Sequence, residues 1–342
     1  MNITFLIGNG FDLNLGLKTK YTDFLEHYLK DDKNDNDTIK QFKKDIEKNL
    51  STWADAELAF GKYTDNFKEG QDELFIDCWE DFCQKLNDYL KNEQSKINYS
   101  LEETKTKINN SLSSIFYNLD YFLSKNIIIN SKFKNLFDYL YLIQKASNTY
   151  DKDFLASIIF NFINFNYTNT LLNILSNFDN DNDNIIVDIF NIHNRIDKSI
   201  ILGVSDETQI SNIKLFENNN NKKFIIKSLY DNHLEDLLYN DFSNYIEKSD
   251  IIIIYGLSLG ETDKHLWSEI INSLYNNPDK EVLLYAFNNN ITYARRNSDI
   301  VKNKFKDKFL SFASSDIDVD LIKNRIYCID NNIFGDIKNL VN

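Results

Sequence analysis

Short apolar runs, each bounded by polar residues, recur along the chain and predict β-strands. They are Ile3–Ile7, Ile158–Phe165, Ile185–Ile192, Ser199–Val204, Ile251–Tyr255, Glu281–Phe287 and Arg325–Ile329. The run Ile251–Ile254 is apolar at every position, which is typical of a strand buried on both faces of a parallel sheet. Patterns with helical spacing separate several of these runs, at Tyr21–Lys30, Leu234–Glu247, Lys264–Tyr275 and Ile291–Phe305. The alternation predicts an α/β fold with a Rossmann-like, doubly wound and mostly parallel sheet.

The segment between about residue 31 and residue 151 has a different pattern. Its apolar positions recur at helical spacing over long stretches, as in Glu73–Leu90 and Leu101–Phe122, and strand signals are scarce. We therefore predict two parts. Residues 1–30 and 152–342 form a Rossmann-like nucleotide-binding core, and residues 31–151 form a helical insertion.

Composition narrows the classes of function. The formal net charge of the 342-residue chain is -14, and a field of that sign repels the phosphate backbone, so binding to DNA or RNA is not expected. The three cysteines do not make a disulfide framework and are expected to be reduced thiols. No apolar run approaches the ~18 residues of a membrane span, and no signal peptide is recognisable, so a cytoplasmic protein without membrane contact is expected.

Two of only nine glycines follow the first predicted strand, in the turn Gly8-Asn9-Gly10. Glycine lets the backbone approach a phosphate closely, and the start of the following helix adds amide donors. The turn is not the standard dinucleotide fingerprint, because Leu13 stands in place of the third glycine. Two interpretations remain: a nucleotide-binding turn, or a tight strand-to-helix connection with Asp12 as the helix N-cap.

Three further predicted strands end in polar or glycine-containing turns. Asn166, His193 and the pair Gly256 and Ser258 come after them. Open α/β sheets bind ligands at the carboxyl ends of their strands, so these residues and the first turn are expected along one edge. An amide offers a donor and an acceptor together, and histidine is the usual general base near neutral pH. The alternatives are structural: the asparagines and threonines cap the next helix, and His193 is a hydrogen-bonded core residue.

Several motifs occur in a fixed order from residue 3 to about residue 265. They are Ile7-Gly8-Asn9-Gly10-Phe11-Asp12 with Leu15-Gly16-Leu17, Tyr21-Thr22-Asp23-Phe24, Trp53 with Glu57, Phe165-Asn166-Tyr167-Thr168-Asn169-Thr170-Leu171, and Tyr255-Gly256-Leu257-Ser258-Leu259-Gly260-Glu261-Thr262-Asp263. This order resembles that of the AbiH family of phage abortive-infection proteins. The resemblance covers most of the chain and implies a role in antiviral defence, with a phage-encoded trigger as a partner.

AbiH proteins are in turn distantly similar to the sirtuin-type NAD-binding fold, which includes defence NADases. This similarity implies that Asn166 and His193 are catalytic. It also implies a set of residues that bind NAD, namely Gly8, Asn9, Gly10, Asp12, Gly256, Ser258 and Asn288. The glycine expected after the histidine is Asn194 here, and asparagine is the residue other than glycine that best tolerates left-handed backbone. The cysteines of a zinc ribbon are missing, which disfavours protein deacylation.

The sequence therefore predicts an anti-phage protein that hydrolyses the nicotinamide–ribose bond of NAD, without a metal. In this prediction Asn166 orients the water or the ribose hydroxyls, and His193 is the base. NAD or a related nucleotide is the expected ligand, and assembly into a homo-oligomer is left open. Two alternatives remain: a non-catalytic nucleotide-binding sensor or scaffold, and a metal-dependent nuclease that uses Asp12, Glu57 and Asp263.

Overall fold

The computed structural model describes residues 1–31, 36–117, 159–178, 186–217, 221–229, 232–286, 295–329, 332–335 and 337–341. Within these residues six strands form one sheet, and every neighbouring pair is parallel. The strands are β1 (Asn2–Ile7), β2 (Ile159–Asn164), β3 (Ile186–Asn191), β4 (Ile251–Tyr255), β5 (Glu281–Tyr285) and β6 (Ile326–Ile329). Their order is β3-β2-β1-β4-β5-β6. This is the Rossmann order, which reverses direction between β1 and β4, so the predicted α/β class with a doubly wound parallel sheet is confirmed.

The side chains of β4 alternate between two apolar layers. Ile251 and Ile253 belong to a cluster on one face of the sheet, and Ile252 and Ile254 belong to a cluster on the other. Each of these four side chains is at most 1% exposed. Burial on both faces explains why the run has no polar position, as its lack of alternation predicts.

One predicted strand is wrong. Residues 199–204 form no strand of the described sheet, and Val204 makes an isolated parallel bridge to Ile226. The run is apolar because it packs against helices: Leu202 is buried, and its carbonyl accepts a hydrogen bond from Trp79 Nε1 at 3.2 Å. An apolar run indicates that a segment is buried, but it does not indicate what buries it. Here the side chains of helices cover the segment, and no neighbouring strand does so.

Helices surround the sheet and extend beyond it. The α-helices are α1 (Gly10–Asn14), α2 (Tyr21–Tyr28), α3 (Asp37–Lys48), α4 (Ala56–Tyr63), α5 (Asp72–Gln94), α6 (Glu102–Tyr117), α7 (Thr170–Ser176), α8 (Lys222–Ile225), α9 (Asn232–Lys248), α10 (Lys264–Asn276) and α11 (Arg295–Leu310). Short 3-10 helices lie at Thr52–Ala54, Thr64–Asn66, Glu207–Gln209, Ile213–Phe216, Lys227–Leu229, Glu261–Asp263, Val319–Leu321 and Lys323–Arg325. Each predicted helical pattern contains a helix, although residues 118–122 and 291–294 of two patterns lie outside the described residues. In the part of the chain that the structure covers, none of the helices combines the length and apolar character needed to cross a bilayer.

Helices α2 to α5 enclose a third apolar cluster, which is rich in aromatic rings. The ring of Phe82 in α5 meets Phe24 and Phe60 edge to face, with centroids 5.0 Å apart in both pairs. The same cluster contains Leu202, which comes much later in the chain. This core therefore draws on residues from both sides of the predicted boundaries at residues 30 and 151. The division into core and insertion stays a prediction.

The strand register places the predicted site turns side by side. Ile7 at the end of β1 pairs with Asn164 of β2 and with Tyr255 of β4, and Asn164 pairs with Asn191 of β3. Four strands thus end at one level, and the turns that follow them share the carboxyl edge of the sheet. The predicted gathering of the turns at this edge is confirmed.

Candidate functional site

The turns after β1 and β4 contact each other through their backbones. The Gly8 N–H donates to the Tyr255 carbonyl and the Gly10 N–H donates to the Gly256 carbonyl, both at 2.8 Å. A Cβ on Gly10 would lie 2.5 Å from Gly256 Cα, and Gly256 has a φ of +70°. The close approach of the two turns therefore requires glycine at both positions. This packing gives the glycines a structural role, and their predicted contact with phosphate stays a prediction.

Ser258 continues the β4 turn, which holds one strained residue. Leu259 has a left-handed φ of 54°, a conformation that costs a side-chain-bearing residue about 1–2 kcal/mol. Its side chain is fully buried, so packing keeps it in place. The Ser258 carbonyl accepts a hydrogen bond from Lys308 Nζ at 2.9 Å. The buried side chain of Leu259 and the hydrogen bond from Lys308 therefore both hold the turn in place.

Asp12 is a buried carboxylate and does not cap a helix. It lies in the first turn of α1, and its side chain accepts hydrogen bonds from Thr168 Oγ1 at 2.6 Å and from Thr170 Oγ1. The N-cap of α1 is Asn9, whose Nδ2 donates to the Thr19 carbonyl at 3.1 Å. The alternative of Asp12 as N-cap is therefore wrong. Burial raises the pKa of Asp12 to about 6, although the two hydroxyls lower it.

Asn166 joins the β2 turn to the β1 turn. Its Nδ2 donates to the Gly8 carbonyl at 3.2 Å, and its backbone N–H donates to Asn164 Oδ1 at 3.1 Å. The residue is buried. Because the amide nitrogen is directed to Gly8, Oδ1 keeps its capacity to accept a hydrogen bond from a water or a hydroxyl.

His193 forms a pair with an acidic residue from the β4 turn. Its Nε2 lies 3.3 Å from Asp263 Oδ1, and the two side chains are 8% and 13% exposed. The ring also meets Phe165 edge to face, with centroids 5.5 Å apart. When the Nε2–H is directed to the carboxylate, the neutral ring carries its lone pair on Nδ1. Such a pair is suited to general-base catalysis, because the carboxylate stabilises the imidazolium that forms.

The residue after the histidine has the backbone conformation expected of a glycine. Asn194 has a φ of 60°, and its Nδ2 donates to the Ser199 carbonyl at 2.7 Å. The prediction that asparagine replaces glycine in a left-handed turn here is confirmed. The His193 carbonyl accepts a hydrogen bond from the Ile201 N–H at 2.9 Å, which further fixes this turn.

A buried lysine that the sequence analysis missed completes the site. Lys227 Nζ donates to Glu57 Oε2 at 2.8 Å and to Asp263 Oδ1 at 2.9 Å, and its side chain is 6% exposed. Tyr167 Oη donates to the other Glu57 oxygen at 3.1 Å. Burial alone would raise the pKa of Asp263, but Lys227 and His193 outweigh it and hold that pKa well below its usual range. Asp263 is therefore a carboxylate near neutral pH.

One pocket of about 660 Å³ lies between the sheet edge and helices α2, α4 and α5, and Asp12, Asn166, His193 and Asp263 all line it. It lies where the strand order reverses, which is where open α/β sheets bind ligands. Its volume is in the range of small-molecule sites, roughly 300–1,000 Å³. The predicted site residues that line it are Asn9, Gly10, Asp12, Asn166, His193, Gly256 and Ser258. Gly8 lies beneath this lining, bonded to Asn166, and Asn288 lies outside the described residues.

The three carboxylates of the nuclease alternative do not form a metal site. Glu57 and Asp263 share the ammonium group of Lys227, whereas Asp12 is bound by two threonine hydroxyls. Among the residues that the structure describes, no group of three or more His, Cys, Asp or Glu side chains could hold a metal ion. The arrangement of these side chains gives no support to the nuclease alternative.

The comparison with known proteins agrees with the order of the motifs. Residues 4–285 match the family described as Bacteriophage abortive infection AbiH. The match extends from β1 to the end of β5 and includes every turn that forms the pocket. A search of curated proteins gives no significant match. Because the family match spans most of the chain, the protein belongs to the AbiH family of bacteriophage abortive infection.

Proposed function

We propose that the protein binds NAD in this pocket and hydrolyses the bond between nicotinamide and ribose. This reaction serves the anti-phage abortive infection function that membership of the AbiH family indicates. The observation that carries the proposal is the His193–Asp263 pair at the carboxyl edge of a sheet with Rossmann strand order. A pocket at the point where that order reverses suits a dinucleotide. The neighbouring amide of Asn166 adds a group that can hold a water or a ribose hydroxyl.

The charge of the pocket suits the breaking of this bond. The scissile bond joins C1′ of the ribose to the positively charged ring nitrogen of nicotinamide. As nicotinamide leaves with the bonding electron pair, positive charge moves onto the ribose. Four acidic residues line the pocket: Asp12, Asp55, Glu57 and Asp263. Preorganised negative charge stabilises an oxocarbenium-like transition state.

A water molecule completes the reaction. Its oxygen bonds to C1′, and His193 Nδ1 accepts the proton that the water loses, so the products are nicotinamide, ADP-ribose and a proton. Asp263 stabilises the imidazolium, and a base positioned in this way contributes about 10²–10⁴-fold in rate. Asn166 Oδ1 orients the water or a ribose hydroxyl. In this proposal Ser258 and the β1 turn, which line the same pocket, hold the remainder of the dinucleotide.

The proposal is tested by incubating the purified protein with NAD and separating nicotinamide and ADP-ribose by chromatography. The protein is assayed alone and with extract from phage-infected cells, because a phage-encoded trigger is expected. His193→Ala and Asn166→Ala should lower the rate by about 10²-fold or more. His27→Ala is the matched control, since His27 lies exposed in α2 and does not line the pocket, and it should hydrolyse NAD at the wild-type rate.

The same variants distinguish a hydrolase from a non-catalytic sensor or scaffold. A sensor would bind NAD without consuming it, and His193→Ala would still protect cells from phage. If NAD survives under every activating condition, and both alanine variants keep phage protection, the hydrolase proposal is wrong.

A further inference from the structure

Lys227 is a buried cation that the proposed reaction does not itself use. It begins the short 3-10 helix Lys227–Leu229, and its backbone N–H donates to the Val204 carbonyl at 2.9 Å. Burying an ammonium group costs several kcal/mol unless it is paired and fully hydrogen-bonded. Lys227 meets this requirement with two carboxylates from distant parts of the chain, Glu57 in α4 and Asp263 in the β4 turn.

One carboxylate oxygen is shared between Lys227 and the histidine. Asp263 Oδ1 lies 2.9 Å from Lys227 Nζ and 3.3 Å from His193 Nε2. An unshared buried carboxylate at this distance would strongly favour a protonated imidazole. A permanent cation on the same oxygen opposes that effect. The ammonium group and the imidazole therefore compete for the same carboxylate oxygen.

The remaining groups around the histidine do not replace this cation. The charged and titratable side chains of this cluster come from several elements: Asp263 after β4, His265 in α10, Lys227, Asp55 and Glu57 at the start of α4, Tyr21 in α2 and Tyr167 after β2. Burial lowers the pKa of His265 to about 4, so its ring is uncharged near neutral pH. Burial alone would lower the pKa of Lys227, but Asp263 and Glu57 outweigh it and raise that pKa. Lys227 thus supplies lasting positive charge to the cluster.

We propose that Lys227 is a positioning residue for the His193–Asp263 pair. Its ammonium group binds the Asp263 oxygen that faces His193, and so fixes the carboxylate that orients the ring and leaves Nδ1 to accept a proton. The proposal rests on the proposed function, because it gives His193 the part of the base. It also makes Glu57 in α4 a second anchor for the same ammonium group.

The test follows the protonation of His193 directly, without NAD. The protein is labelled in its histidine rings, and the His193 signal is identified by its loss in His193→Ala and titrated by NMR. In Lys227→Met the ring should stay protonated to a pH about 1–3 units higher than in the wild type. Lys227→Arg keeps a cation and should titrate like the wild type. The acidic limb of the pH profile for NAD hydrolysis should move with the NMR titration.

A second variant keeps the proposal testable if Lys227→Met does not fold. If Lys227→Met is unfolded, Lys227→Met combined with Glu57→Gln replaces it, because one carboxylate fewer is then left unpaired. A folded variant without Lys227 in which His193 titrates at the wild-type pH overturns the proposal. A shifted titration supports the role of Lys227 even if NAD survives in the wild type under every activating condition and both alanine variants keep phage protection, which overturns the proposed function. The two failures are therefore distinguishable.

Discussion

The buried carboxylate of Asp12 should make the protein less stable as the pH rises. The pKa of Asp12 is raised from 3.8 to about 6 by burial, and the difference corresponds to roughly 3 kcal/mol. A folded state that holds its proton to higher pH than the unfolded state loses stability between the two pKa values. The free energy of unfolding should therefore fall from about pH 4 to about pH 6. Of this loss, about 2 kcal/mol lies between about pH 4.5 and about pH 8.

Asp12→Asn removes this titration and nearly keeps the shape of the side chain. The amide can still form hydrogen bonds with Thr168 and Thr170, so the variant should fold. Urea denaturation, followed by tryptophan fluorescence at about pH 4.5 and about pH 8, gives the free energy of unfolding of both proteins. The wild type should lose about 2 kcal/mol more than the variant between these conditions. Asp65→Asn changes an exposed carboxylate and should behave like the wild type. Equal pH dependence in wild type and Asp12→Asn would refute the reasoning.

Two further predictions concern the contact between the β1 and β4 turns and the buried carboxyl group of Glu281 in β5. Gly10→Ala should lower the free energy of unfolding by about 1–3 kcal/mol in urea denaturation, because the new Cβ meets the backbone of Gly256, whereas Gly260→Ala meets only ordinary contacts and should change little. Wild-type stability in the Gly10 variant would contradict this. Burial raises the pKa of Glu281 to about 7, although Tyr327 and Arg325 lower it, so thermal stability should fall as the pH rises from about 4.5 to about 7. Glu281→Gln should lack this part of the pH dependence in melting experiments at about pH 5 and about pH 8.

Much of the fold could be predicted because buried segments have a local pattern of apolar residues in the sequence. A strand such as β4, which is covered on both faces, is apolar at every position, and in the helices apolar residues recur at helical spacing. The failure at residues 199–204 has the same origin, since a buried connection and a buried strand give the same apolar pattern. The strand order could not be read in detail, because it depends on pairings between segments more than a hundred residues apart, such as Asn2 with Ile159.

The site was partly predictable for a similar reason. Asn166 and His193 are polar residues directly after apolar, strand-like runs, which is a local signal for the carboxyl edge of a sheet. Lys227 gives no such signal, because the carboxylate of Glu57 that explains its burial is 170 residues away in the sequence. The two threonines whose hydroxyls bind Asp12 are similarly distant in the sequence. The sequence alone therefore could not distinguish a buried Asp12 from an Asp12 that caps a helix. Long-range charge pairs of this kind become visible only in the folded chain.

The common level at which β1 to β4 end makes the site sensitive to the length of each strand. Asn166 and His193 both come two residues after paired positions, Asn164 and Asn191, and the glycines 8 and 256 both come one residue after another pair. A single-residue insertion inside β2 would move Asn166 by about 3.3 Å relative to His193 and turn alternate side chains to the opposite face. Insertions in exposed loops have no such effect. The length of each strand in this protein therefore sets the relative positions of the site residues. Chimeric proteins built from this chain and a relative should stay functional only if whole strands are exchanged together with their turns.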